Sequence, residues 1–406
     1  MKRFIYGLLV LTLLMLSGCS INEDSSSNDS SILPQVDAGE DHSSSIAQTE
    51  SKAEKLLQSM TLEEKIGQLF IIRPDDLELN LTSKQINDST NNGAVELDTN
   101  MKETLKKYPI GGVALFSKNI LNPTQLTTFI SDMQKQSAIP LFVGIDEEGG
   151  TVSRIAKSPK FDVPKFESMQ KIGETKNSGK AKDVGFTIGS YLKSYGFNLD
   201  FAPVVDINTN PKNIVIGNRS FGNDPDLVSK MVFAEIVGLH EAGIMSCVKH
   251  FPGHGDTKGD THTGEVSIEK TWEELKKCEL VPFINSIDTT DMVMISHIIA
   301  PNITGDKLPA SLSNEIIEGK LRKELGYKGV VISDAMEMGA ITKKYSSKES
   351  AINTILAGID IILMPEDFVE SYNGIYDAIK NGTITEARID ESVLRILNLK
   401  ELYDLL

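Results

Sequence analysis

Eight short apolar runs, each bounded by Gly or Pro and each followed by a polar loop and a helix-like stretch, constrain this chain more than any other feature. The runs are Ile66 to Ile72, Gly112 to Phe116, Leu141 to Ile145, Asn198 to Ala202, Met245 to Lys249, Met292 to Ser296, Val330 to Ser333 and Ile359 to Leu363. They are apolar on both alternating faces, the pattern of parallel strands covered on both sides rather than of a half-exposed antiparallel sheet. The intervening helices have recognisable ends. Thr61-Leu62-Glu63-Glu64 and Thr271-Trp272-Glu273-Glu274 are capping boxes, Glu315 to Leu325 stops at Gly326, and Glu391 to Leu405 is a periodic closing helix. Strand–helix alternation repeated eight times predicts an α/β fold, a TIM-type (β/α)8 barrel in one domain spanning residues 51–406. The first run is ambiguous, since Ile66 to Ile72 also continues the helix begun at Thr61. An open doubly wound sheet is the alternative, but no Gly-x-Gly-x-x-Gly follows a first strand and no phosphate-binding Gly-Lys-Ser/Thr loop occurs.

The N-terminus reads as an export signal. Lys2 and Arg3 precede an apolar stretch, Leu8 to Leu16, that is short for a membrane span and ends at Leu16-Ser17-Gly18-Cys19. That ending resembles a bacterial lipobox, so residues 1–18 are expected to be a signal peptide and Cys19 the lipidated first residue of the mature chain. Residues 19–50, rich in Ser, Asn and Asp, are expected to be a flexible tether, because they cannot bury enough surface to offset their ordering entropy. The expected location is extracytoplasmic, on a membrane reached through the lipid. A formal charge of -16 argues against nucleic acid as a partner. Apart from Cys19 only Cys247 and Cys278 remain, and Cys247 sits in an apolar run as a core thiol.

Polar residues gather just past the strands. Asp146 follows Ile145, Asp206 follows Phe201-Ala202-Pro203, Lys249 and His250 end the fifth run, His297 follows Ser296, and Asp334 follows Ser333. In an α/β barrel these positions converge on one mouth, where active sites are built. Any one of them, taken alone, is equally a helix cap or a satisfied loop residue. The richest stretch runs from Lys249 to His262. Pro252, Gly253 and Gly255 exclude a helix and make a shaped loop whose backbone approaches a ligand closely. Its His and Asp residues admit two chemistries. A metal site is the weaker one, because the four-residue spacing of His250 and His254 serves a metal only on a helix. The other is a proton-transfer dyad: Asp260 reaches one ring nitrogen of His262, fixes its tautomer and leaves the other nitrogen for a substrate. His254 is then a shaping residue of the loop.

The motif Lys249-His250-Phe251-Pro252-Gly253-His254-Gly255-Asp256-Thr257, continued by Asp260-Thr261-His262, resembles the signature of glycoside hydrolase family 3 in its β-N-acetylglucosaminidase branch. Ile145-Asp146-Glu147-Glu148-Gly149-Gly150 with Arg154, the Asn198 to Asp206 run, Gly217-Asn218-Arg219-Ser220-Phe221-Gly222 and Ser333-Asp334-Ala335-Met336 resemble it in the same order. The likeness runs from about Met60 to the C-terminus and implies a single catalytic barrel with a retaining mechanism. On matching positions Asp334 would be the nucleophile, His262 the acid/base and Asp260 its partner. Asp146, Arg154, Arg219, Lys249 and His250 would hold the terminal sugar. The family's usual substrate is an N-acetylglucosamine-containing glycan, and the resemblance implies no metal and no organic cofactor. A histidine acid departs from the usual two-carboxylate arrangement, but an imidazole does not repel an anionic acceptor, and some relatives with the His/Asp pair pass the sugar to phosphate. A β-glucosidase or phosphorylase of the same fold and a non-catalytic sugar-binding lipoprotein therefore stand as alternatives. Longer members carry a second α/β domain after the barrel, which the chemistry does not need if the dyad lies within it. A monomer is expected, and the polar stretch Leu77 to Thr104 reads as an insertion without an evident role.

Overall fold

The computed structural model describes residues 50–406 apart from Ser89. The signal peptide, Cys19 and nearly all of the tether fall outside the described residues. Among the described residues ten strands are present, in chain order β1 (Phe70–Ile72), β2 (Gly112–Leu115), β3 (Phe142–Ile145), β4 (Leu199–Asp200), β5 (Met245–Phe251), β6 (Val266–Ser267), β7 (Met292–Ile295), β8 (Ile298–Ile299), β9 (Val330–Ser333) and β10 (Ile362–Leu363). Eight of them pair in the order β10-β1-β2-β3-β4-β5-β7-β9. Every pairing is parallel, and the last gap is bridged by Ile332 against Ile361, so the sheet closes into the expected (β/α)8 barrel. The strands are buried on both faces, which is why they read as unbroken apolar runs.

Several elements differ in their bounds or winding from the sequence expectation. The capped helix Leu62–Gln68 uses the residues from Ile66 to Gln68, leaving β1 only Phe70–Ile72. Thr61 satisfies the first turn of that helix, and the strand, buried at all three of its positions, begins only after Leu69. The stretch from Glu315 is wound as a π-helix, Glu315–Glu324, before Gly326 takes positive φ. The closing helix starts earlier than its periodicity suggests, at Glu386, because Thr385 caps it through Arg388 N–H.

The insertion after β1 carries a short helix, Ser83–Asn87, and the start of another, Thr99–Lys107. Its Ala94 carbonyl accepts from Asn119 Nδ2 at 2.9 Å, tying it to the loop after β2. Strands β6 and β8 form a separate parallel pair, Val266 against Ile298. They fasten the far end of the Lys249–His262 loop to the segment that follows β7.

Candidate active site

The carboxyl end of β3 sets one wall. Along Asp146-Glu147-Glu148 the side chains alternate, and the two outer carboxylates share Lys249, whose Nζ lies 2.7 Å from Asp146 Oδ1 and 2.6 Å from Glu148 Oε1. Glu147 turns the other way. It is buried, accepts from the N–H groups of Ile155 and Ala156 at 2.9 Å and from Tyr191 OH at 2.9 Å, and so folds the loop that carries Arg154. Arg154 Nη2 stands 3.5 Å from Asp146 Oδ2.

Arg219 comes from the loop after β4. Its Nε and Nη2 grip both oxygens of Glu148 at 2.8 and 2.7 Å, a fork matched to a carboxylate. Asn213 shapes that loop by accepting from Val215 and Ile216 N–H at 2.9 Å while donating to the His254 carbonyl at 2.8 Å.

Lys249 and His250 are chain neighbours on β5, yet both reach the mouth. The peptide between them is cis, and the register with β7 shifts between Val248 and Phe251. A shift of this kind re-aims a side chain that strict alternation would send to the other face. His250 Nδ1 lies 2.6 Å from Asp206 Oδ2, so its Nε2 faces Arg219 Nη2 at 3.4 Å.

The charges are strongly coupled. Burial would raise the Glu148 carboxyl, but Arg219 and Lys249 outweigh it and hold the group far below the ordinary range. Burial would lower the Lys249 ammonium, and Asp146 and Glu148 instead push it up. Burial also opposes ionisation of Asp206, and His250 overrides it. Taking such ions out of water costs several kcal/mol each, and an apolar cluster would fill the same space more stably. The arrangement is better understood as a preorganised surface of donors and acceptors for a ligand rich in hydroxyls.

Across the mouth Asp334, half-buried, follows β9. Its N–H donates to the Ile295 carbonyl at 2.8 Å and its Oδ1 accepts from Ala335 N–H at 2.8 Å. Burial would raise this carboxyl, but the His297 and His250 imidazoles, the Ala335 N–H and His262 outweigh it, so it stays an anion at neutral pH. His297 is enclosed, with Nδ1 2.7 Å from Ser311 Oγ and Nε2 2.9 Å from the Ala335 carbonyl. Both nitrogens are occupied, so it supports the Asp334 turn from beneath.

Asp260 and His262 lie at the rim, with side chains 35% and 67% exposed. Asp260 Oδ1 accepts from the His262 N–H at 2.9 Å and approaches Nδ1 at 2.7 Å, which leaves Nε2 unclaimed by the carboxylate. The loop is docked on the turn that follows Asp334: Ala340 N–H donates to the Thr261 carbonyl and Gly339 N–H to that of His262, at 3.1 and 3.2 Å. His254 is buried, its Nδ1 2.7 Å from Thr257 Oγ1 and its N–H bonded to Asp206. The close approach that Gly255 permits is to protein, because a Cβ there would stand 1.8 Å from the Ile207 carbonyl oxygen.

All eight residues singled out from the sequence as catalytic or sugar-binding therefore line or rim one mouth. Glu148 and Asp206 are integral to the same cluster but had no assigned role. Glu148 was signalled by its two-residue spacing from Asp146, and Asp206 only by its place past a strand.

Comparisons with known proteins agree with this class of barrel. Residues 61–399 match the glycosyl hydrolase family 3 N-terminal domain, and the chain belongs to that family. It is 34% identical over 333 residues to β-hexosaminidase A of Pseudoalteromonas piscicida, covering 75% of this chain and 55% of that relative. It is 33% identical over 306 residues to the β-hexosaminidase LpqI of Mycobacterium tuberculosis, covering 72% and 76%. Among solved structures, a family 3 β-N-acetylglucosaminidase from Paenibacillus sp. superposes with a TM-score of 0.77 at 35% identity, over 86% of this chain and 63% of that one. The chain thus spans little more than half of the first of these relatives.

Proposed function

We propose that this protein is a retaining exo-β-N-acetylhexosaminidase that removes terminal β-linked N-acetylglucosamine from peptidoglycan-derived or related glycans. The observation that carries the reading is the mouth itself, where a hydroxyl-matching charged cluster, an anionic carboxylate and a His–Asp pair come together. The names of the relatives support the N-acetyl sugar. In the proposed reaction the sugar's hydroxyls rest on Asp146, Glu148, Arg154, Arg219, Lys249 and His250. Asp334 attacks the anomeric carbon as the glycosidic bond breaks, and the departing oxygen takes the Nε2 proton of the His262 imidazolium, whose charge Asp260 stabilises. Water then attacks the glycosyl-Asp334 ester, gives its proton back to His262 Nε2, and releases the sugar with retained configuration. The lipobox-like end at Cys19 supports an extracytoplasmic, lipid-anchored location. Among the described residues no helix is long and apolar enough to cross a membrane.

The test is an aryl-glycoside panel, N-acetylglucosaminide against glucoside, with and without phosphate. Free N-acetylglucosamine is expected in both buffers, and Asp334→Asn is expected to lower turnover on the order of a thousandfold. A sugar phosphate as product would instead assign a phosphorylase. Unchanged turnover in Asp334→Asn would remove the nucleophile.

A further inference from the structure

In the proposed reaction Asp146 and Arg154 both hold the terminal sugar, and one side chain lies behind the two of them. Glu147 Oε2 accepts from the N–H groups of Arg154 and Ile155, and its Oε1 from that of Ala156 and from Tyr191 OH in the helix Ser178–Tyr195. Four donors thus meet on two oxygens. Three successive N–H groups converging on one carboxyl form the kind of concavity that elsewhere takes an anionic ligand. Here Glu147 fills it and is left with no exposed surface.

The two arginines of the cluster are held in different ways. Arg219 is clamped through its guanidinium by the fork on Glu148. The Arg154 guanidinium has only a 3.5 Å approach to Asp146 and the Phe116 ring 5.3 Å away, and its Nε has no acceptor among the described residues. Its place therefore depends on its backbone. That backbone is folded back on the end of β3, with Gly149 and Gly150 at φ of +81° and +67° and Gly149 bridging Val152. The Glu147 bonds close this reversal. Asp146 is fixed from the same point, since the Glu147 N–H donates to Asp200 Oδ1 at 3.0 Å across the β3–β4 pair. Asp200 is also enclosed, and burial pushes its carboxyl well above the ordinary range, so it serves as an uncharged acceptor at neutral pH. With no exposed surface, neither Glu147 nor Asp200 touches a ligand in the mouth.

We propose that Glu147 and Asp200 are positioning residues for the terminal sugar: Glu147 fastens the Arg154 loop onto the strand end, and Asp200 fixes the Glu147 backbone, so that Asp146 and Arg154 are presented as a pair. The proposal rests on the glycosidase reading and names residues that set its affinity for the sugar. A glutamine at position 147 has one acceptor oxygen, and its amide would set a donor against donors. Groups that bind the sugar equally in the ground and transition states act on KM and leave kcat nearly untouched.

The experiment measures kcat and KM on an aryl β-N-acetylglucosaminide and, by titration calorimetry, the Kd of N-acetylglucosamine. Glu147→Gln is expected to raise KM and Kd by about tenfold with kcat much less affected. Asp200→Leu is expected to raise both, and Asp200→Asn, which keeps an acceptor for the Glu147 N–H, to raise them less. In an Arg154→Ala background the effect of Glu147→Gln should shrink, because the group it positions is gone. Loss of folded protein lowers kcat alone, so KM and Kd report on the molecules that remain folded. KM and Kd within twofold of the unmodified protein in Glu147→Gln, or an undiminished effect in the Arg154→Ala background, overturns the positioning role. Turnover of no glycoside by the unmodified protein overturns the glycosidase reading instead, and the Kd comparison then decides the role of Glu147 by itself.

Discussion

At the scale of single residues, the mouth separates groups that touch a sugar from groups that hold those groups in place. His262 is the sharpest case. If its Nε2 protonates the departing oxygen, His262→Ala should slow a poor alkyl-type leaving group by 10²–10⁴, on the order expected of a general acid. Glycosylation by a very good leaving group, such as a dinitrophenolate, should fall far less. Single-turnover rates on the two substrates make the comparison, and equal losses would mean that His262 is not the acid. Asp206 acts through His250, so Asp206→Asn should lower kcat/KM on the order of tenfold or more, chiefly through KM, while breaking a buried pair costs about 3–5 kcal/mol of stability. A urea titration beside the kinetics separates the two effects. Asp334, His262 and Asp260 stood out in the sequence because each lies just past a strand or in a loop whose Pro and Gly exclude a helix. Asp206 stood out only by its place past a strand, and neither it nor Glu148 was given a role, because their roles depend on Arg219 and His250 arriving from other strands.

At the scale of elements, the barrel strands were readable because burial on both faces leaves no polar alternation to obscure them. The β1 boundary was not. A helix and a buried strand share one apolar run there, and only the cap at Thr61 divides it. The pair β6–β8 was also missed, since two-residue strands carry no period. The closing helix makes a pH-dependent prediction. Lys400 is enclosed, with Nζ 2.6 Å from Gln68 Oε1 and 3.1 Å from the Gly111 carbonyl, and burial pulls its ammonium down to about 7. A base depressed in the folded state binds fewer protons folded than unfolded between that value and its ordinary one. Stability should therefore rise with pH above about 7 by roughly 1 kcal/mol per pH unit, and the cost of burying Lys400 should be complete below that. Urea midpoints at pH 6 and pH 9 test this, and Lys400→Met should flatten the slope. An unchanged slope in that variant would place its origin in another group.

At the scale of the whole molecule, the barrel gathers strand-end residues that are far apart in sequence, and the insertion, which sequence alone left without a role, is tied to the loop after β2. Its placement was not readable because it depends on which strand ends lie next to each other once the sheet closes. The tether and Cys19 concern the same scale. In cells making the full chain, the protein should partition with the detergent phase, and Cys19→Ser should move most of it to the aqueous phase while aryl-glycoside turnover persists. Partition that does not respond to Cys19→Ser would rule out lipidation at that residue.

The most direct measurement is peptide mapping of the covalent intermediate. His262→Ala is incubated with a dinitrophenyl β-N-acetylglucosaminide, which forms the intermediate without acid assistance while its hydrolysis lacks a general base. After acid quench and digestion, an N-acetylhexosamine adduct is expected on the peptide that contains Asp334, and on no other carboxylate. An adduct on a different residue, or a first-formed free sugar of inverted configuration with no adduct, would contradict Asp334 as the nucleophile of a retaining enzyme.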